Sequence, residues 1–341
     1  MSVAEGLDDR AVGSTITMSV GGRFGWRADK LGYQQVLQRG PLVSTLSGAM
    51  VEDLRSAISI VRALALADLE LLDRVRPDVV VVSGRPTTCA VASALGIANI
   101  ALVSAPFATS WSHEALLASG SVLARERGYL RMILRRGLAQ AGFHPRSTTQ
   151  AVVEVLADIQ EFVGAGAPNA LFAGPLLVDD GQCVRWPDGD RRAYITSGSR
   201  PLGSEFARAG AELAARGWSV VMAGAGVRSD EARSENILRT TYCRAADAMR
   251  AADVVVSHGG SGAVYHAMLA GAPSLYRPVN TEQVAYTELA ERAHLGKRWR
   301  GAEIARCVDE LLTSATQSEC TLSALDPAKP YSDVVDLVLR S

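Results

Sequence analysis

The densest chemistry in the chain lies in the stretch ADVVVSHGGSGAVYHAMLAGAP at 252–273, where an apolar run passes into His258, Gly259, Gly260, Ser261 and Gly262 and then directly into a helical pattern. Glycines let the main chain close on an anion, and the free N–H groups at the positive end of the following helix can hold it. His258 and Ser261 add side-chain donors. Taken by itself the motif is also compatible with a tight strand-to-helix turn in which glycine serves conformation only. Its neighbours give it weight. In PVNTEQ at 278–283, Glu282 stands beside Gln283 at the start of another helix. A carboxylate accepts and an amide both donates and accepts, which suits vicinal hydroxyls. The competing reading is an ordinary helix start, capped by Asn280 or Thr281, with Glu282 favoured by the dipole. YITSGS at 194–199 ends a third strand in hydroxyls and a glycine, and Ser197 and Ser199 there suit a second phosphate group or a sugar.

Short β-branched runs alternating with longer helical patterns position these motifs, and that alternation is the signature of βαβ units around a parallel sheet. It occurs twice. The first half predicts strands over 15–20, 79–83 and 100–104, with helices over 51–75 and 88–95. The second predicts strands over 193–197, 219–223, 254–257 and 274–277, with helices over 205–216, 246–251, 263–270 and 282–293. Between them GAGAPN at 164–169, Gly174-Pro175 and the polar stretch 179–192 form a turn-rich break. The expected organisation is a first domain over 1–173, a linker over 174–192, a second domain over 193–325 and a closing helix over 326–341.

With 341 residues, 48% hydrophobic and 21% charged, the chain has the composition of a globular protein of two ordinary domains. Lys plus Arg (35) nearly cancels Asp plus Glu (36) for a net charge of -1, so no global field draws it to nucleic acid or to an acidic membrane. The five cysteines are scattered without CxxC or CxH spacing, which argues against a zinc site and fits a reduced, cytoplasmic chain. The opening MSVAEGLDD lacks the basic and apolar regions of a signal peptide. Arg62, Asp68 and Glu70 interrupt the longest apolar stretch, so no membrane span is expected, and peripheral membrane contact stays open.

The order of the motifs, ITSGS, then ADVVVSHGGSG, then GAPSLYRPVNTEQ and AYTELAERAHLG, resembles the donor domain of the glycosyltransferases that include UDP-glucuronosyltransferases, sterol glucosyltransferases and antibiotic glycosyltransferases. The first half is similar to the acceptor domain of that family through SVAEGL, VGGRFGWRADKLGY, RPDVVVVSGRP and LGIANIALVSA. The resemblance implies an α/β GT-B fold: two Rossmann-like domains facing across a cleft, the first incomplete because no first strand and Gly-rich loop precede SVAEGL. It implies a hexosyltransferase that moves sugar from a UDP or dTDP donor to a hydroxyl of a small lipophilic acceptor, with inversion. The nucleotide sugar is then a substrate, and neither a cofactor nor a metal is expected. The resemblance assigns the diphosphate to His258 and the Gly259–Gly262 segment, phosphate contacts to Ser197 and Ser199, and the sugar to Glu282 and Gln283.

Three departures accompany the likeness. The loop that carries the family's catalytic histidine has no counterpart, so the start is expected to be an internal methionine of a longer frame or the edge of an incomplete sequence. Gly84 stands where relatives carry an acidic residue. Thr241-Tyr242-Cys243-Arg244 replaces an aromatic followed by Val-Pro-Gln, so Tyr242 serves either as the base-stacking ring or as core. His113 is the candidate base, ahead of His144. His266 and His294 read as structural, and Arg23, Arg27 and Arg85 as solvated. Three other functions compete: a non-catalytic partner protein, a nucleotide-sugar epimerase, and a dinucleotide oxidoreductase suggested by AGAG at 223–226, which lacks a full GxGxxG.

Overall fold

The computed structural model describes residues 17–20, 34–37, 53–108, 116, 121–143, 152–164, 171–177, 182–225, 233–234, 236–301, 303–314 and 336. Contacts divide the chain into two compact units, Met1–Gly174 with Ala328–Ser341, and Pro175–Pro327. No helix among the described residues is long and apolar enough to cross a membrane.

In the first unit, β1 (Thr17–Val20) and β2 (Gln34–Leu37) pair in parallel with each other. A second sheet runs β3 (Val79–Ser83), β4 (Ala98–Val103), β5 (Val152–Leu156), β6 (Leu171–Phe172), all parallel. Helix α1 (Leu54–Val75) starts because Asp53 accepts the N–H groups of Arg55 and Ser56 at 3.1 and 3.0 Å, satisfying donors that the first turn leaves open. It buries Ala57, Ile58, Val61, Leu64, Ala65 and Leu72, spaced for one helical face. Helix α2 (Pro86–Ala94) opens with proline at its first position, where no N–H is needed.

Helix α3 (Val122–Gln140), like β5, lies in a stretch where the sequence pattern predicts no element. Arg127 is buried on its inner face and Gly128 and Gly137 interrupt it, so its apolar periodicity is weak in sequence. Tertiary packing supplies what periodicity lacks: α3 lies against α1, and Gly137 meets Val61 there. The short helix α4 (Gln160–Val163) follows β5, and the buried Asp158 between them accepts the Ala105 N–H at 2.6 Å, tying the loops after β4 and β5 together. Arg85, expected in solvent, corrects that expectation. It is 11% exposed and its Nε lies 2.9 Å from the carboxylate of Asp68 on α1, itself 0% exposed. A carboxylate buried on the inner face of α1 requires such a partner.

The second unit is built on a seven-stranded sheet, β13-β12-β11-β7-β8-β10-β9. Its strands are β7 (Arg192–Pro201), β8 (Ser219–Ala225), β9 (Arg233–Ser234), β10 (Ile237–Thr240), β11 (Val254–Ser257), β12 (Ser274–Tyr276) and β13 (Lys297–Arg298). All pairs are parallel except β9 with β10. Omitting β9, the chain visits β7, β8 and β10 outward on one side and then returns beside β7 for β11, β12 and β13. That is the 3-2-1-4-5-6 order of doubly wound nucleotide-binding domains. Five helices connect or close it: α5 (Ser204–Ala215), α6 (Ala245–Arg250), α7 (Ser261–Ala270), α8 (Thr281–Arg292) and α9 (Ile304–Ser314). One apolar cluster joins Ile195, Phe206, Leu213, Trp218, Trp299 and Val308, and another joins Tyr194, Val221, Met249, Val255 and Ala267. Val254, Val255 and Val256 are fully buried, as a strand covered on both faces must be.

The close approach of α1 and α3 makes opposite predictions for two glycines of one helix. A methyl group at Gly137 would lie 2.5 Å from Val61 Cβ and 3.0 Å from the Ile58 carbonyl oxygen, whereas one at Gly128 meets nothing within 4 Å. Gly128→Ala should raise stability by up to about 1 kcal/mol through helix propensity. Gly137→Ala should lower it, overpacking of about 1–3 kcal/mol outweighing that gain. Urea unfolding midpoints of the two variants check the difference in sign.

Candidate functional site

In an open parallel sheet, ligands bind outside the carboxyl ends of the strands where the strand order reverses. Here that point lies between β7 and β11, which pair from Val254↔Ala193 to Ser257↔Thr196. The next residues along the two strands are His258 and Ser197, so the two hydroxyl- and glycine-bearing motifs emerge side by side. The β7–β8 ladder holds register through Thr196↔Ala223 and resumes, shifted, at Pro201↔Ala225. Such irregularities end pairing and re-aim the chain next to ligand sites. Gly198, inside that irregularity, has φ +60 and donates its N–H to Thr196 Oγ1 at 3.0 Å.

The imidazole of His258 fills the space between two glycines. A methyl at Gly198 would lie 2.7 Å from its Cε1, and one at Gly260 2.8 Å from its Nε2. The ring therefore locks the β7 turn to the β11 turn. Gly259 takes φ +71, donates its N–H to Ser257 Oγ at 3.2 Å, and leaves no room for a Cβ, which would meet Thr287 Oγ1 at 2.5 Å and Tyr276 Cβ at 3.3 Å. Gly260 is the N-cap of α7 and supplies no side-chain cap, so the first N–H groups of that helix remain available. A methyl at Gly262, in the first turn of α7, would meet nothing within 4 Å, so that side of the turn is open. The result is a cradle of main-chain donors at the positive end of a ten-residue helix, the arrangement that takes an anion.

On the far side of β12, Asn280 caps α8 by accepting the Gln283 N–H at 2.9 Å, and Gln283 Oε1 accepts the Val279 N–H at 2.9 Å. Gln283 is 4% exposed, so its oxygen belongs to this reciprocal cap and its amide N–H groups are what it can offer a ligand. Glu282 is half-buried in the first helical turn. Tyr242, beyond the end of β10, is 43% exposed and not core, while Cys243 next to it is buried with its Sγ 3.5 Å from the Tyr194 hydroxyl. Burial pushes the Tyr276 phenol up to about 12, which keeps it protonated and makes it no base at neutral pH.

Ser197 is buried at the end of the paired part of β7, and Ser199 is a β7 residue whose side chain falls outside the described set. His113 and His144 lie outside the described residues; His266 is buried in α7, and His294 is an exposed turn residue with φ 56 after α8. Among the described residues, no group of three or more His, Cys, Asp or Glu could hold a metal ion.

An ion pair absent from the sequence reading stands at the same edge. Arg277, directly after β12, donates from Nε and Nη2 to the two carboxylate oxygens of Glu205, in the first turn of α5, at 2.8 and 3.0 Å. Those hydrogen bonds hold the Glu205 carboxyl below its ordinary range and the Arg277 guanidinium above its own. The signal available in sequence was a lone arginine ending the apolar strand SLY.

Sheet order and cradle together define the second unit as a doubly wound α/β domain with a candidate ligand site at the switch between β7 and β11. No protein-family model and no curated protein sequence matches the chain. Solved structures match it over nearly its whole length. The calicheamicin glycosyltransferase CalG4 superposes with a TM-score of 0.72 at 20% identity, covering 99% of this chain and 93% of that one. The kitacinnamycin glycosyltransferase gives 0.70 at 18% identity, with 99% and 93% covered. SnogD, a glycosyltransferase from Streptomyces nogalater, gives 0.65 at 19%, with 98% and 94% covered. The chain has the GT-B fold of antibiotic and natural-product glycosyltransferases.

The Gly259 contact generates a test of the cradle. Gly259→Ala forces a side chain into left-handed backbone and against Thr287, and should destabilise by about 2–4 kcal/mol. In a Thr287→Ala background the collision is relieved, leaving the backbone part of about 1 kcal/mol. A double-mutant cycle on denaturant unfolding should return a coupling above about 1 kcal/mol.

Proposed function

We propose that the protein is a hexosyltransferase that moves sugar from a UDP or dTDP donor to a hydroxyl of a small, lipophilic acceptor, with inversion at the anomeric carbon and without a metal. One observation carries the donor half of this reading: the order of chemical groups along a single sheet edge. Because β10, β8, β7, β11 and β12 are parallel neighbours, their carboxyl ends form a row about 19 Å long, four steps of ~4.8 Å. Along it stand an exposed aromatic ring (Tyr242), a hydroxyl and glycine turn (Ser197–Ser199), an anion cradle (His258–Gly262) and a carboxylate–amide pair (Glu282, Gln283). Base, diphosphate and sugar follow one another in the same order in a nucleoside diphosphate sugar.

In this mechanism a base takes the proton of the acceptor hydroxyl as its oxygen attacks the anomeric carbon, and the nucleoside diphosphate leaves. Charge grows on the leaving phosphate. Donors fixed at the start of α7 are placed to stabilise it, since preorganised dipoles need no rearrangement as the charge develops. His258 would bind the diphosphate, Ser197 and Ser199 a second phosphate oxygen, and the Gln283 N–H groups with the Glu282 carboxylate the sugar hydroxyls. His113 is the candidate base. The dTDP option draws support from the neighbours SsfS6 and SpnG, each solved with thymidine diphosphate. The free thiols of Cys89, Cys183, Cys243 and Cys307 fit a reducing, cytoplasmic setting.

Thermal unfolding in excess UDP, thymidine diphosphate and GDP tests the reading. A ligand at a hundredfold excess over its dissociation constant should add about 2.7 kcal/mol of stability. UDP or thymidine diphosphate should do so and GDP should not. His258→Ala should abolish the shift for free diphosphate and nucleotide sugar alike, whereas Glu282→Ala should reduce it for the sugar-bearing form only. A folded protein that responds to neither UDP nor thymidine diphosphate would overturn this reading.

A further inference from the structure

Strands β7 and β12 are not neighbours; β11 lies between them, so their carboxyl ends stand about 9.6 Å apart, two steps of ~4.8 Å. The Glu205–Arg277 pair crosses that gap. Glu205 begins α5 after the irregular turn that bears Ser197, Gly198 and Ser199, and Arg277 begins the segment that leads through Pro278 to Glu282 and Gln283. Both ends are anchored independently. The Arg277 N–H donates to the Ser257 carbonyl at 2.7 Å, fixing its main chain to the last residue of β11, and Glu205 is held by the packing of α5, whose Phe206, Ala209 and Leu213 are buried. A third loop meets the pair, for a methyl at Gly301 would lie 3.7 Å from Arg277 Nη2 and 4.0 Å from Glu205 Oε1.

Two facts separate bracing from stability or charge as the work of this pair. Its side chains are 30% and 40% exposed, and ion pairs that wet contribute little to folding. The contact is bidentate, which adds directional restraint that a single contact lacks. Glu205 also cancels the charge of Arg277, so the guanidinium adds little net attraction for an anion. What remains is geometry: a strut from the loop on one side of the cradle to the loop on the other.

We propose that Glu205 and Arg277 are positioning residues, their bidentate pair setting the distance between the phosphate-facing irregular turn of β7 and the sugar-facing segment after β12. This rests on the donor-site reading above. A sugar bound by Glu282 and Gln283 while its diphosphate lies in the cradle needs that distance fixed; a free diphosphate needs only the cradle. The pair therefore matters most to ligands that reach both ends.

Calorimetric titration of the full chain with thymidine diphosphate and with thymidine diphosphate glucose tests this. Glu205→Gln and Arg277→Met should weaken the sugar-bearing ligand about tenfold, the free diphosphate less than threefold, and leave the thermal midpoint within about 2 °C. Arg277→Lys, which keeps the charge and loses the fork, should fall between wild type and Arg277→Met. The exchanged pair, Glu205→Arg with Arg277→Glu, should recover most of the lost affinity. Single variants that fold and bind the sugar-bearing ligand as wild type does would overturn the proposal, as would an exchanged pair no better than either single change. Failure of the wild-type protein to bind either ligand, and equally UDP and UDP-glucose in their place, would instead overturn the donor-site reading, and the strut with it.

Discussion

The site depends on one constraint, the parallel pairing of β7 with β11 at the place where the sheet reverses its order. That pairing stops at Thr196 and Ser257 and puts Ser197 next to His258. Because Val254, Val255 and Val256 are buried on both faces, β11 cannot slip by one residue without moving side chains between two packed layers. Register thus fixes where the glycine turn begins. From there the glycines follow as requirements: Gly198 and Gly260 make room for one imidazole, and Gly259 makes room for Thr287. Substitutions elsewhere on the edge act on a cradle whose position is already determined by the sheet.

Two Arg–carboxylate pairs in the two units show how burial changes what the same chemistry does. Asp68 and Arg85 sit inside the first unit, where removing either partner would strand a charge in a low-dielectric interior. The pair holds α1 to the start of α2. Glu205 and Arg277 are partly in water, so screening leaves little energy in the contact while its fork geometry persists. One pair is a condition of folding, and the other a condition of spacing.

The second unit was far more legible in sequence than the first, and the reason is physical. ADVVVSHGGSG combines a fully buried strand, a left-handed glycine and a helix start within a dozen residues, so every part of its local structure is written locally. Asn280 as the cap of α8 was among the alternatives readable from PVNTEQ, and the structure selects it. Gln283 shows the limit of such reading, since residue type indicates donors and acceptors but not that its oxygen is already taken by the Val279 N–H. Helix α3 and strand β5 escaped because their identity comes from packing against α1 and β4 and not from periodicity. Arg85 and Asp68 are 17 residues apart, and Glu205 and Arg277 are 72 apart, so the partner that each arginine takes is not written in local sequence.

The same distinction explains how an anion site can exist in a chain whose charges nearly cancel. The cradle is made of main-chain N–H groups, whose partial charges at the start of α7 amount to roughly half a unit. Such groups do not appear in any count of lysines and arginines. The fixed charge beside them, Arg277, is neutralised by Glu205 at 2.8 and 3.0 Å. Attraction for an anion at this cradle would therefore come from dipoles already aligned by β11 and α7, which lose nothing to side-chain entropy on binding. The glycines that make this possible carry the cost in backbone freedom, and the sheet pairing on either side is what holds them in place.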